Sequence, residues 1–144
     1  GMCYAEKLLI SREDQLSPMH THVIKAEDII NRGGATLIVE LYGSDDAGHF
    51  AEDKGGVVYC DGIRREFGPG DKLALAPGES VSLMPGDWHA FWGEGGDVLI
   101  GEVSTVNDDE TDNVFREPIG RFANIEEDVD PTHLLVSDYA AWLK

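Results

Sequence analysis

The chain has 144 residues, about the size of one domain, which leaves little room for a second. Its 28 acidic and 11 basic side chains give a formal charge of −17 at pH 7. A protein of this charge repels nucleic acid and anionic membranes, and it favours uncharged small molecules over phosphorylated ones. We therefore expect one domain over residues 2–144 that acts on a small uncharged compound.

The cysteines and the hydropathy pattern bear on the cellular compartment. Cys3 and Cys60 are far apart and belong to no CxxC arrangement, so they suggest neither a disulfide framework nor a thiolate zinc site. The sequence has no run of about 18 apolar residues and no charged leader followed by an apolar stretch. These features predict a cytoplasmic protein without a membrane partner.

Short apolar runs separated by glycine-rich turns occupy residues 4–105. They predict ten strands, at 4–11, 19–23, 27–31, 36–42, 56–60, 63–67, 72–75, 80–84, 89–92 and 98–104. The breaks between them have turn chemistry, as in Arg32-Gly33-Gly34, Asp61-Gly62 and Pro85-Gly86. Strands of this length and spacing predict an all-β sandwich or barrel, with a jelly roll as the default.

Residues 106–144 form an acidic tail that is poor in strand patterns. The tail ends in a segment for which Ser137 or Asp138 is a candidate cap of a short helix. We expect the tail to pack on the barrel of residues 4–105, because it contains the apolar residues Phe115, Ile119, Phe122 and Ile125.

Two separate segments carry candidate metal ligands. His20 and His22 alternate along a predicted strand, so their imidazoles point to the same face. Glu27 and Gly34 follow in the pattern HxHx4Ex6G, and a turn after His22 would bring the carboxylate to the imidazoles. His89 follows the Pro85-Gly86 turn at the start of another strand.

An HxH pair by itself is more typical of an ordinary surface or core, but the combination of both segments favours a metal site. Three imidazoles and one carboxylate suit manganese, iron, nickel, cobalt or zinc. We predict one divalent metal held by His20, His22, Glu27 and His89, with open positions for substrate oxygens. His49 and His133 lie in acidic, loop-like segments and are interpreted as surface residues.

The segments HTHVIKAEDIINRGG and PGESVSLMPGDWHAFW resemble the paired signature motifs of the cupin superfamily. Asp14 and Gly93 depart from those motifs, which usually have Gly and Asn there. Together with YAEKLLISREDQLSPM, GEVSTVNDDETDN and EPIGRF, they resemble the D-lyxose isomerase family from Tyr4 to about Asp130. The resemblance implies a cupin jelly-roll β-barrel with the C-terminal tail packed on it.

The same resemblance implies an aldose–ketose isomerase. Members of the family interconvert D-lyxose and D-xylulose, and often D-mannose and D-fructose, with manganese or a similar ion. They carry an additional N-terminal segment that is not in this sequence. The expected partners are a free sugar and a second copy in a homodimer, with no nucleic acid and no membrane.

Such a reaction needs groups that carry protons, and three charged residues near the metal motifs are candidates. Lys7 lies in an otherwise apolar strand, where an inward charge is costly unless it has a function or a partner. Lys25 shares strand parity with Glu27 unless a turn intervenes, and could bind substrate beside the metal. Glu102 could carry a proton or bind substrate, and the equal alternative is an ion pair with Lys7 or Lys25.

The tail and the second motif offer further candidates. Within EPIGRF, the resemblance implies Glu117 as the base and Arg121 as an orienting group. Glu110 and Asp112 could bind sugar hydroxyls, and Trp92 could form an apolar wall with Trp88 and Phe91. The competing interpretation is a solvated charge for the ionisable residues and core packing for the aromatic ones.

Three other functions fit the same ligand set. A cupin dioxygenase would have an apolar cage around its metal, and a non-catalytic sugar-binding cupin would have ligands without a neighbouring acid–base group. A phosphosugar isomerase would require several basic residues to converge at the mouth of the pocket. The candidates for that cluster are Arg12, Lys25, Arg32, Arg64, Arg65 and Arg121.

Overall fold

The computed structural model describes residues 3–106, 108, 111–119, 126, 128–134 and 138–143. In these residues nine strands and one short helix follow one another along the chain. They are β1 Tyr4–Ser11, β2 Ser17–His22, β3 Glu27–Tyr42, β4 Gly56–Cys60, β5 Ile63–Phe67, β6 Asp71–Leu75, β7 Ser80–Leu83, β8 Trp88–Thr105, β9 Asn113–Phe115 and α1 Tyr139–Trp142.

The two longest strands, β3 and β8, form the frame of the sheet. They pair antiparallel along their whole length, from Glu27 opposite Ser104 to Tyr42 opposite Trp88. The other edge of β3 pairs with β6 and β7, while that of β8 pairs with β1 and β2. β4, β5 and β9 extend the sheet at its ends. The predicted all-β class is confirmed.

The β3–β8 ribbon curls strongly. Glu27 and His89 lie at opposite ends of it, since His89 pairs with Leu41. A flat strand from Glu27 to Leu41 would be about 46 Å long at about 3.3 Å per residue, yet Glu27 Oε1 lies 3.1 Å from His89 Nε2. The ribbon therefore closes back on itself and encloses the site between its ends.

The curl occurs at a bulge and not at a turn, so the prediction of a turn at Arg32-Gly33-Gly34 is wrong. The β3–β8 register shifts on both sides of Gly33 and Gly34. Gly34 has φ +101°, and a Cβ there would lie 2.2 Å from the carbonyl oxygen of Asp97. This backbone approach lets β3 bend without ending. β3 therefore joins two predicted strands, and β8 joins two others.

Within the described part of the tail, β9 packs on the sheet as expected, whereas α1 has no buried residue. β9, which the sequence pattern does not indicate, pairs with β2 and places Phe115 opposite His20. The short helix α1 follows Asp138, whereas Ser137, Phe122 and Ile125 lie outside the described residues. No helix in the described part of the chain is long and apolar enough to span a membrane.

The buried interior has an apolar part and a polar part. The polar part includes buried charged residues, whose burial requires partners. The apolar cluster consists of Ile29, Leu37, Val39, Leu41, Val58, Cys60, Phe67, Leu75, Val81, Leu83, Phe91, Val98 and Ile100.

The bulge gives a test of the fold. We expect Gly34→Ala to lower the free energy of unfolding by about 3 kcal/mol or more, because the methyl group meets a backbone oxygen and the positive φ adds strain. Gly33→Ala is the matched control, since it has a positive φ but nothing within 4 Å of the added Cβ. It should cost about 1–2 kcal/mol. Urea denaturation measures both, and equal losses would contradict this account of the bulge.

Candidate metal centre

Three strands deliver the four predicted ligand residues to one point. His20 and His22 lie on β2, Glu27 begins β3, and His89 lies near the start of β8. A bend between β2 and β3 turns the chain so that the Glu27 carboxylate reaches the imidazoles. One possible ligand atom from each residue lies within 4.8 Å of all the others, and only His20 is not fully buried.

Hydrogen bonds fix the tautomer of all three imidazoles. In each ring Nδ1 faces a backbone carbonyl oxygen, which can only accept, so Nδ1 carries the hydrogen and Nε2 presents its lone pair to the centre. The acceptors are the carbonyls of Pro18 for His20 at 2.7 Å, Asp112 for His22 at 3.2 Å and Asp87 for His89 at 3.0 Å. This arrangement is typical of histidines that bind a metal through Nε2.

Three acceptor atoms meet without a donor between them. Glu27 Oε1 lies 3.2 Å from His22 Nε2 and 3.1 Å from His89 Nε2. All three atoms are buried and have no hydrogen-bond partner among the described residues. Such a cluster is unfavourable unless a cation satisfies it. Ligand atoms about 2.1 Å from one ion lie about 3 Å apart at a right angle, so the residues fit a divalent metal ion.

The ionisation states also suit a metal. Burial and the neighbouring His89 lower the pKa of His20 from its ordinary value to about 3. Burial alone would raise the pKa of Glu27, but the Lys25 ammonium beside its Oε2 favours the ionised carboxylate and lowers that pKa below its usual range. Near pH 7 His20 is therefore neutral and Glu27 ionised, which are the forms that bind a metal.

Two lysines and two glutamates form a chain of ion pairs beside the ligands. Lys25 Nζ lies 2.7 Å from Glu27 Oε2 and 2.9 Å from Glu102 Oε1. Lys7 Nζ lies 3.1 Å from the same oxygen of Glu102. Burial opposes the charge of Lys25, but Glu27 and Glu102 outweigh it and raise the Lys25 pKa. The alternative of an ion pair at Glu102 is therefore realised, with both lysines.

A cavity of about 420 Å³ opens in front of this array. Its lining includes the side chains of Lys7, Lys25, Glu102 and three of the four ligand residues. No arginine lines it in the described part of the chain. Its apolar and neutral walls include Leu9, Phe91, Asn113 and Phe115, and the last two come from β9, whose position the sequence did not indicate.

The structure places Trp92 outside this cavity, which corrects the predicted substrate contact. Its neighbour Phe91 lines the cavity, and side chains alternate along a strand. Trp92 therefore points to the other face, where Lys72 Nζ lies 5.1 Å from its ring centroid. Trp88 is buried and donates a hydrogen bond to Ser44 Oγ at 3.1 Å, so core packing describes it.

The prediction that Asp112 binds a sugar hydroxyl is also corrected. Its buried carboxylate accepts hydrogen bonds from the backbone of residues 23–25 and is not on the cavity wall. Glu117 has a side chain that is 80% exposed, lies 3.9 Å from Arg116 Nε and does not line the cavity. Its role as a base stays a prediction. Glu110 and Arg121 lie outside the described residues, and their roles also stay predictions.

Comparison with known proteins shows which family the chain belongs to. A family model described as D-lyxose isomerase matches residues 1–139. The chain belongs to the D-lyxose isomerase family. It is 52% identical over 142 residues to the D-lyxose/D-mannose isomerase of Serratia proteamaculans. This alignment covers 97% of this chain and 62% of that protein. The protein of the same name from Escherichia coli O157:H7 is 49% identical, covering 95% and 61%. The chain thus spans about three fifths of the length of these relatives.

Solved structures support the fold. L-ribose isomerase of Cellulomonas parahominis superposes with a TM-score of 0.56 at 20% identity, covering 78% of this chain and 57% of that one. The Acinetobacter sp. DL28 L-ribose isomerase in complex with L-ribose superposes with a TM-score of 0.57 at 19% identity, covering 78% of this chain and 58% of that one. At these identities the likeness shows the fold alone, and it confirms the predicted cupin-like barrel.

Metal binding can be tested directly. We expect His89→Ala to weaken binding of Mn²⁺ or Zn²⁺ at least about 100-fold, because it removes a ligand itself, whereas loss of a ligand's partner typically costs about 10–100-fold. His49→Ala is the control, since His49 is exposed and pairs with Asp45. Isothermal titration of metal-free protein measures the affinity. Unchanged affinity in His89→Ala would rule out this centre.

Proposed function

We propose that this protein is a metal-dependent aldose–ketose isomerase that acts on an unphosphorylated sugar. The favoured reaction is D-lyxose to D-xylulose, with D-mannose to D-fructose as a second. The observation that carries the proposal is the meeting, in one cavity, of a ligand cluster that fits a divalent ion and the Lys7, Glu102 and Lys25 array. The names of the two relatives support the choice of sugars.

The reaction moves hydrogen between C1 and C2 of the sugar while the neighbouring oxygens exchange a proton. His20, His22, Glu27 and His89 would hold the ion, and manganese is the favoured one. When bound, a divalent ion supplies electrostatic stabilisation of the negative charge that develops on the sugar oxygens. The donor set also suits zinc, iron, nickel or cobalt.

The side chains of this chain supply the proton transfer. Glu102 lies on the cavity wall with its side chain 10% exposed, and its carboxylate takes the proton from C2 of the aldose and returns it to C1. Lys25 holds Glu27 and Glu102 in place through two ion pairs. Lys7, with a side chain that is 40% exposed, is placed to donate a hydrogen bond to a sugar hydroxyl.

The surroundings of the cavity favour a free sugar over a phosphorylated one. Its two lysines already pair with carboxylates, so they offer little charge to a phosphate. Three of the five arginines that would serve a phosphosugar are engaged elsewhere: Arg12 pairs with Asp97, Arg32 with Glu6 and Arg64 with Glu66.

Two further alternatives fit the cavity less well. A dioxygenase would surround its metal with an apolar cage, whereas two lysines and Glu102 line this cavity. A non-catalytic sugar-binding cupin would have ligands without a neighbouring acid–base group, and here Lys25 contacts both Glu27 and Glu102. The charged array therefore favours proton transfer on a polyol.

Activity is tested with the Mn²⁺-loaded protein and a panel of free aldoses, with ketose formation as the readout. We expect turnover of D-lyxose and no turnover of mannose 6-phosphate. Glu102→Gln should lower kcat about 10²- to 10⁴-fold, the usual contribution of a general base, with metal content unchanged. Glu66→Gln is the control, because Glu66 is an exposed residue of β5.

Each outcome of that assay assigns a different function or base. Full activity in Glu102→Gln together with loss of activity in Glu117→Gln would assign the role of general base to Glu117 in the tail. Oxygen consumption without ketose formation would favour the dioxygenase, and no turnover of any sugar would favour the binding protein.

The ion-pair chain predicts unequal effects of its two lysines on stability. In metal-free protein, Lys25→Met should lower the free energy of unfolding by about 3–5 kcal/mol, because it leaves buried carboxylates without their partner. Lys7→Met removes a half-exposed partner and should cost about 1 kcal/mol or less. Chemical denaturation at pH 7 measures both variants, and comparable losses would show that Lys25 does not neutralise this cluster.

A further inference from the structure

Asp112 binds the loop that separates the metal ligands of β2 and β3. It is 2% exposed, and its Oδ1 accepts hydrogen bonds from the backbone N–H groups of Val23 at 2.9 Å and Ile24 at 2.8 Å. Its Oδ2 accepts one from the N–H of Lys25 at 3.0 Å. Its backbone carbonyl accepts the Nδ1 hydrogen of His22 at 3.2 Å.

Residues 23–26 are held at one end by the ion pairs of Lys25 and the bonds between Ala26 and Thr105, whereas the backbone amides of residues 23–25 bond to Asp112. The side chains of Val23 and Ile24 are exposed at 65% and 71%, so the apolar core does not hold these residues. Three of the four loop amides bond to Asp112, and the fourth, that of Ala26, bonds to Thr105 Oγ1 at 3.2 Å. Successive N–H groups that converge on one carboxylate form a rigid anion-binding turn.

The position of this loop decides the geometry of the centre. It carries the chain from His22 to Glu27, whose ligand atoms lie 3.2 Å apart, and it contains Lys25, which bonds the other oxygen of Glu27. A change in the loop would therefore alter two ligands and the partner of one of them together.

Asp112 also connects this loop to the tail. Its N–H donates to the carbonyl of Asp108 at 2.9 Å, and β9 begins at the next residue and pairs with β2. Phe115 of β9 lines the cavity. The tail is thus connected to the metal ligands through Asp112 and through the pairing of β9 with β2.

We propose that Asp112 is a positioning residue of the metal centre. Its carboxylate fixes the 23–25 loop, and its carbonyl fixes the tautomer and orientation of His22, so that His22, Glu27 and Lys25 take their places before an ion binds. The inference rests on the proposed metal centre. It gives Asp112 a role in metal binding instead of contact with the sugar.

The test compares Asp112→Ala and Asp112→Asn with the wild-type protein and with Asp61→Ala. Asp61 is the matched control, because its carboxylate accepts the N–H and the Oγ–H of Ser80, both at 3.0 Å, in the turn between β4 and β5. Each protein is stripped of metal and titrated with Co²⁺. The readouts are the affinity and the visible absorption of bound cobalt, which reports ligand geometry.

We expect Asp112→Ala to bind Co²⁺ about 10- to 100-fold more weakly than wild type, the usual loss when a ligand's partner is removed, with an altered cobalt spectrum. Asp112→Asn keeps one acceptor oxygen and should fall in between. Asp61→Ala should bind as wild type even though its melting temperature drops. Hydrogen exchange of the metal-free proteins should show faster exchange at amides 23–25 in the Asp112 variants only.

Two results would overturn the inference, and they differ in what else they affect. Wild-type affinity and spectrum in Asp112→Ala would leave the metal centre intact and reduce Asp112 to a purely structural residue. Absence of cobalt binding by the wild type would remove the proposed centre itself. If Asp112→Ala fails to fold, Asp112→Asn decides by the same two readouts.

Discussion

The structure depends on bringing together two residues that strand pairing sets apart. Glu27 and His89 lie at opposite ends of the β3–β8 ribbon, yet their side chains meet at 3.1 Å. The glycine bulge at residues 33–34 lets the ribbon bend without ending either strand. Closure produces a buried cluster of acceptor atoms, which is costly unless a cation fills it. The bulge that bends the sheet therefore also assembles the candidate metal centre.

Charge is distributed unevenly between the surface and the interior. The chain as a whole carries −17, but Lys7 and Lys25 face Glu27 and Glu102 inside the cavity, so these four side chains balance. A balanced polar cavity suits a neutral polyol, which needs hydrogen-bond donors and acceptors. The surrounding negative field disfavours phosphorylated sugars before they reach the site. The proposed substrate class therefore agrees with both the local and the overall electrostatics.

Support for the ligands comes from backbone atoms as much as from side chains. The three imidazoles are oriented by carbonyls that belong to three different segments, and Asp112 orders the loop between two of the ligands. These partners fix the tautomers and leave Nε2 for the ion. The family relationship identifies the fold and its relatives, while this network explains how the described residues prepare a metal centre.

The sequence determined the strands and the ligand set, because alternation and turn residues are local signals. The HxHx4E spacing and the turn before His89 thus predicted which residues meet. Only the tertiary structure decided that β3 runs through Gly33 and Gly34, that Phe91 and not Trp92 faces the cavity, and that Glu102 pairs with both lysines. Those pairs join residues 77 and 95 positions apart, and the Asp112 contacts span 87 to 90 positions. Such contacts depend on sheet register and closure, which local periodicity does not encode.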